Sequence, residues 1–109
     1  MEKKKDKSYK KVIVGIGFYK EEEWERLLAC AHDRENLEDT YDEWLEVVEK
    51  AILNYHALGI RPRKVVVNLD ELIDFCIDHK LKNTAETRSR FVAERLREGK
   101  AEDIKLPLR

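Results

Sequence analysis

The side chains with the most chemical capacity lie in one short polar stretch, His32-Asp33-Arg34, where an imidazole, a carboxylate and a guanidinium fork follow one another. Together those three types can hold an anion and move a proton, and loops are where such groups commonly work. No neighbouring side chain is marked as a nucleophile by a motif, and a charged connection between two helices has the same composition. His32, Asp33 and Arg34 therefore stand as a candidate loop for a small enzyme, the third of three functional readings, with no catalytic residue assigned.

Cys30, His32, Cys76 and His79 have the ligand types of a Cys2His2 zinc set. Such sets space each pair by two to four residues. Cys30-x-His32 is tighter than that, and Cys76 falls on an apolar helical stripe, so small buried cysteines beside surface histidines is the reading and no metal is assigned. Gly15-Ile16-Gly17 has the look of the start of a dinucleotide loop. Lys20 stands where the third glycine would be, and Glu21, Glu22 and Glu23 would repel a phosphate at the helix start that follows. No cofactor is expected. A third group, Arg88, Arg90, Arg95 and Arg97, offers a basic helix face that could meet a partner, with Arg88 and Arg95 on the side near Phe91 and able to pair with an acidic segment.

These groups need elements to position them. Residues 1–10 are nearly all polar or charged and read as a mobile basic tail. The β-branched run Val12 to Phe18 is a strand whose two glycines point to a bulge or a close backbone approach. Lys20 to Ala31 has acidic first turns and places Trp24, Leu27, Leu28 and Ala31 on one helical face. Thr40 and Glu43 form a capping box for a second helix, which carries Trp44, Leu45, Val48, Ala51, Ile52 and Tyr55 and stops at Gly59. Pro62 breaks the chain, and Lys64 to Asn68 is a shorter strand whose three valines put apolar groups on both faces. Asn68 with Glu71 opens a third helix, Asn83 with Glu86 a fourth, and Gly99 ends it. Residues 100–109, with Pro107, read as a loosely held tail.

The expected architecture is thus a single mostly helical α+β domain over residues 11–99, in the order strand, helix, helix, strand, helix, helix. Its small two-stranded sheet is covered by helices. A strand pair this far apart in sequence permits a parallel arrangement. Two strands alone make a marginal sheet, so either helices cover it or a partner chain extends it.

The 109 residues carry 22 basic and 23 acidic side chains, a net charge of −1. That balance hides segregation. Residues 19–50 hold twelve acidic against four basic residues, a net −8, whereas 61–100 hold ten basic against seven acidic, a net +3. Two cysteines are too few for a disulfide framework, which points to a reducing, cytoplasmic setting. No apolar stretch approaches the ~20 residues that span a bilayer, so no membrane partner is expected. The functional reading is a non-catalytic protein-interaction or assembly module, self-associating as a homodimer or meeting a protein partner. The alternative is a nucleic-acid-binding regulator using the basic C-terminal half.

From Lys64 to Glu98, the strand, the helix opening Asn68-Leu69-Asp70-Glu71-Leu72, the turn and the helix after Asn83-Thr84 resemble a ribbon-helix-helix module. That resemblance implies paired strands from two chains and contact with duplex DNA. Arg63, Val65 and Val67, or Lys64, Val66 and Asn68, would occupy the reading positions. Over residues 12 to 97 the chain is also similar to a group of bacterial proteins of roughly this length and of unknown function. The matching residues are Phe18-Tyr19, Glu23-Trp24, Leu27-Leu28, Asp33-Arg34, Asp39-Thr40-Tyr41, Glu43-Trp44-Leu45, Val67 to Leu72, Cys76 and Arg90-Phe91-Val92. This second resemblance implies neither substrate nor partner.

Overall fold

A computed structural model of the chain describes residues 12–108, so the expected basic tail, residues 1–10, lies outside the described residues. The elements are β1 Ile13–Phe18, α1 Glu21–Cys30, a 3-10 turn Arg34–Asn36, α2 Tyr41–Ala57, β2 Arg61–Val66, α3 Leu69–His79 and α4 Ala85–Arg97. The class and element order are those expected from the sequence. β1 and β2 pair in parallel, in register from Ile13 opposite Arg61 to Phe18 opposite Val66.

Local chemistry explains the boundaries. Thr40 Oγ1 accepts from the Glu43 amide and Glu43 Oε1 from the Thr40 amide, both at 3.1 Å, so two orphan donors at the start of α2 are satisfied. Gly59, at φ +76°, ends that helix in the left-handed region where a side chain would be strained. Asn68 Oδ1 caps α3 through the Glu71 amide at 3.1 Å. Three boundaries differ from expectation. β2 begins at Arg61, because the Arg61 amide bonds Val12 across the ladder, so alternation turns position 62 away from β1 and Pro62 deprives the pair of no donor. The cap of α4 is Thr84, accepting from Thr87, because Asn83 is buried in other bonds. Residues 101–108 are docked rather than loosely held. Glu102 exchanges both backbone hydrogen bonds with Lys64, at 2.7 and 2.9 Å, Arg61 pairs with Asp103 at 2.8 Å, and Ile104 and Leu108 pack on the core.

Gly15 and Gly17 provide the close approach that their position in a strand suggests. A Cβ on Gly15 would lie 2.9 Å from Val92 Cγ1, and one on Gly17 would lie 3.1 Å from Val92 Cγ2 and 3.2 Å from Val67 Cγ2. The bare backbone lets α4 lie directly on the sheet. The core beside it is aromatic. Trp24 stacks on Trp44 with ring centroids 5.1 Å apart, and Tyr19 and Phe18 meet Trp44 edge-on at 5.5 and 6.2 Å. Such pairs add ~0.5–1.5 kcal/mol each beyond the area they bury. Leu27, Ile52, Leu69 and Leu72 are fully buried around them.

Candidate functional site

The loop after α1 brings His32, Asp33 and Arg34 to the start of α4, but it does not turn them toward one point. Asp33 is buried, and its carboxylate accepts a bidentate pair from Arg88, Nη1 to Oδ1 at 3.0 Å and Nη2 to Oδ2 at 2.8 Å. Oδ2 also accepts from the Ala85 amide at 2.9 Å, taking an orphan donor at the positive end of α4. These bonds, from Arg88 first, hold the Asp33 carboxyl below the usual carboxylate range against the opposing effect of burial. The group is held ionised and committed to anchoring a helix.

Asn83 is the hub of this junction. Its side-chain oxygen accepts from Arg88 Nη1 at 2.8 Å, its carbonyl accepts from the same atom at 3.2 Å, and its Nδ2 donates to Cys30 Sγ at 3.4 Å. The Asn83 amide donates to His32 Nδ1 at 3.1 Å while the His32 amide donates to the Asn83 carbonyl at 2.9 Å. Nδ1 as acceptor leaves the neutral imidazole's proton on Nε2. Arg34 turns away to the Leu37 carbonyl and Asp39, at 3.2 and 2.8 Å. His32 and Asp33 thus enter the Asn83–Arg88 network through different partners, and Arg34 lies outside it. Sequence reasoning missed Asn83, which it read as a cap; a polar residue one position before a better cap, Thr84, was the available signal.

The four arginines also separate. Arg88 is buried and so leaves the candidate surface; the expectation that it could pair with the acidic segment is met by Asp33. Arg95 lies with its guanidinium 4.9 Å from the Phe91 ring centroid and reaches Glu71 at 3.4 Å, on α3 rather than on the acidic segment. Arg90 and Arg97 are exposed. On the strand run, Val65 and Val67 are buried, Arg63 donates to the Ala101 carbonyl, Asn68 caps α3, and the Lys64 ammonium lies 5.2 Å from the Phe18 ring centroid. Cys30, His32 and Cys76 line one groove, whereas His79 stacks on Phe75 at 4.2 Å and borders another. Among the described residues, no group of three or more His, Cys, Asp or Glu side chains could hold a metal ion.

The other notable feature is an edge. Val12 and Phe18 direct their carbonyls to β2, accepting from Arg61 at 2.8 Å and Val67 at 2.9 Å. By alternation, the backbone groups of Ile13, Gly15 and Gly17 face outward. Among the described residues no strand pairs with that side. Beside it runs a groove of about 460 Å³ whose walls include Ile13, Tyr55, Ala85, Ser89, Ala93 and Leu96. Ala85, Ser89 and Ala93 recur every four residues, which puts small side chains in one row along α4. Ile13 keeps 47% of its surface exposed, and the adjacent Val12 is more exposed still.

No family model, no curated protein and no solved structure matches the chain. No helix among the described residues is long and apolar enough to cross a membrane.

Proposed function

We propose that this chain is a non-catalytic assembly module whose first partner is a second copy of itself. The observation that carries the reading is the bare outer edge of β1, flanked by an apolar groove in a sheet of only two strands. Antiparallel pairing of two β1 edges about a twofold axis would give a four-stranded sheet in the order β2, β1, β1, β2. Such an arrangement is self-complementary, as a closed dimer requires, and a sheet of that width is no longer marginal. Two features support a non-enzymatic role: Asp33 is consumed by structural bonds, and His32 and Arg34 are bonded apart from each other. Both cysteines are free, in keeping with a cytoplasmic setting.

Light scattering across micromolar concentrations, in low and moderate salt, tests the reading together with Ile13→Lys. A charge placed at an exposed strand edge opposes edge pairing while costing the monomer little. The expected result is a dimer for the natural chain and a monomer for the variant. A monomer at high micromolar concentration in both salts would contradict it.

A further inference from the structure

The groove that holds Cys30, His32 and Cys76 is separate from the β1 edge and borders the Asn83 junction, which bonds Cys30 and His32 but leaves Cys76 without a role. It has a volume of about 440 Å³ and lies between the end of α1, α3 and the turn leading to α4. Ile73, Ile77 and Leu81 make its walls apolar. Cys30 is the last residue of α1 and is exposed; Cys76 lies in the last turn of α3 and is half-buried. Neither cysteine is in a disulfide, both line the same groove, and they are the chain's only cysteines.

We infer that Cys30 and Cys76 form a reversible redox pair, oxidised to an intramolecular disulfide by a hydroperoxide small enough to enter the groove. Cys30 meets the oxidant because it is the exposed member. Its thiol gives its proton to water, the thiolate sulfur attacks one peroxide oxygen, and the O–O bond breaks; for hydrogen peroxide the products are a sulfenic acid on Cys30 and, after the proton is returned, one water. Cys76, as its thiolate, then attacks the Cys30 sulfur. The S–S bond forms, the S–O bond breaks, and the departing hydroxide takes the Cys76 proton to give a second water. Two thiols lose two electrons in all, and one peroxide is reduced to two waters. A cellular thiol reverses the step by exchange.

The division of labour fits the surroundings. Burial, and then the charge of the nearby Cys30 sulfur, push the Cys76 thiol up, which suits a resolving residue that is protonated until its partner has reacted. Leu81 donates its amide to the Cys76 carbonyl at 2.8 Å and Asn83 Nδ2 donates to Cys30 Sγ, so one short turn holds both cysteines.

The test treats the full-length protein with one equivalent of hydrogen peroxide, counts free thiols, and maps linked peptides by mass spectrometry. The expected result is loss of both thiols together, a Cys30–Cys76 linked peptide pair within one chain, and full recovery with dithiothreitol. In Cys76→Ser, a dimedone adduct accumulates on Cys30; in Cys30→Ser, no adduct appears on Cys76. The wild-type peptide map needs no variant, so it decides the matter even where a serine variant folds poorly. Oxidation of Cys30 with Cys76 left free, a disulfide joining two chains, or no reaction at either thiol would each overturn the proposal.

Discussion

The junction where α4 meets the loop after α1 and the outer edge of β1 treat their polar groups in opposite ways. At the junction, Asp33 accepts three hydrogen bonds, and Arg88 and Asn83 complete a buried set joined over 55 residues of sequence. At the edge, the backbone groups of Ile13, Gly15 and Gly17 face outward with no paired strand among the described residues. The far edge of the sheet sharpens the contrast, since β2 is bridged to Glu102 and carries Pro62, which lacks a donor to offer. The contrast teaches where a partner can act. A satisfied buried network holds shape, whereas an unsatisfied accessible edge invites pairing.

The largest expected effect comes from breaking the closed region. Asp33→Ala leaves the Arg88 guanidinium buried without its carboxylate and removes a partner of the Ala85 amide. A loss of ~3–5 kcal/mol in unfolding free energy, read by denaturant titration, is expected. A loss below ~1 kcal/mol would remove the junction from its place as an anchor.

Titration gives the next effect, and the signs differ at the two ends of the pH scale. Tyr19, buried where the two regions meet the aromatic core, has its phenol pushed up to about 12, chiefly by burial. Below the unfolded value of about 10 its contribution is fully present; it is lost as pH rises toward the folded value, a fall of ~2–3 kcal/mol that Tyr19→Phe should abolish. Asp33 acts the other way. Its folded value is depressed, so its contribution is present above the unfolded value and is lost as pH falls through the folded one. Stability curves at both extremes, with Asp33→Asn removing the acid limb, check both signs.

Gly15→Ala is a smaller perturbation, directed at the floor of the open region. The added methyl meets Val92 at 2.9 Å, so the side chain or α4 must move, at a cost of ~1–3 kcal/mol. Thermal denaturation should show a lower midpoint, and Val92→Ala in the same chain should recover part of it. The smallest effect on stability belongs to Ile13→Lys, within ~0.5 kcal/mol for the monomer because the site is half exposed. Its effect on self-association is expected to be complete. A variant that is both as stable and as dimeric as the natural chain would place the contact elsewhere.

The sequence made the local parts of this fold readable. Thr40 with Glu43, Asn68 with Glu71 and Gly59 each act within a few residues, so their roles follow from type and spacing. Strand glycines also announced a close approach, although not that Val92 would be the neighbour. The site was much less legible. The pairing of Asp33 with Arg88 depends on how the loop after α1 meets the start of α4, and the segregation of charge showed only that complementary surfaces exist. Asn83 looked like a cap because a cap and a buried hub share the same side chain. The docking of residues 101–108 is not legible in the sequence, because Ile104 and Leu108 lie in a segment too short to show a period.

Amide hydrogen exchange at Gly15 and Gly17, followed as protein concentration rises, tests the central claim most directly. Their outward N–H groups should exchange fast in dilute protein and become protected in step with dimer formation, while amides already bonded between β1 and β2 change little. Fast exchange at both glycines in protein shown to be dimeric, or equal protection at every concentration, would contradict edge pairing through β1.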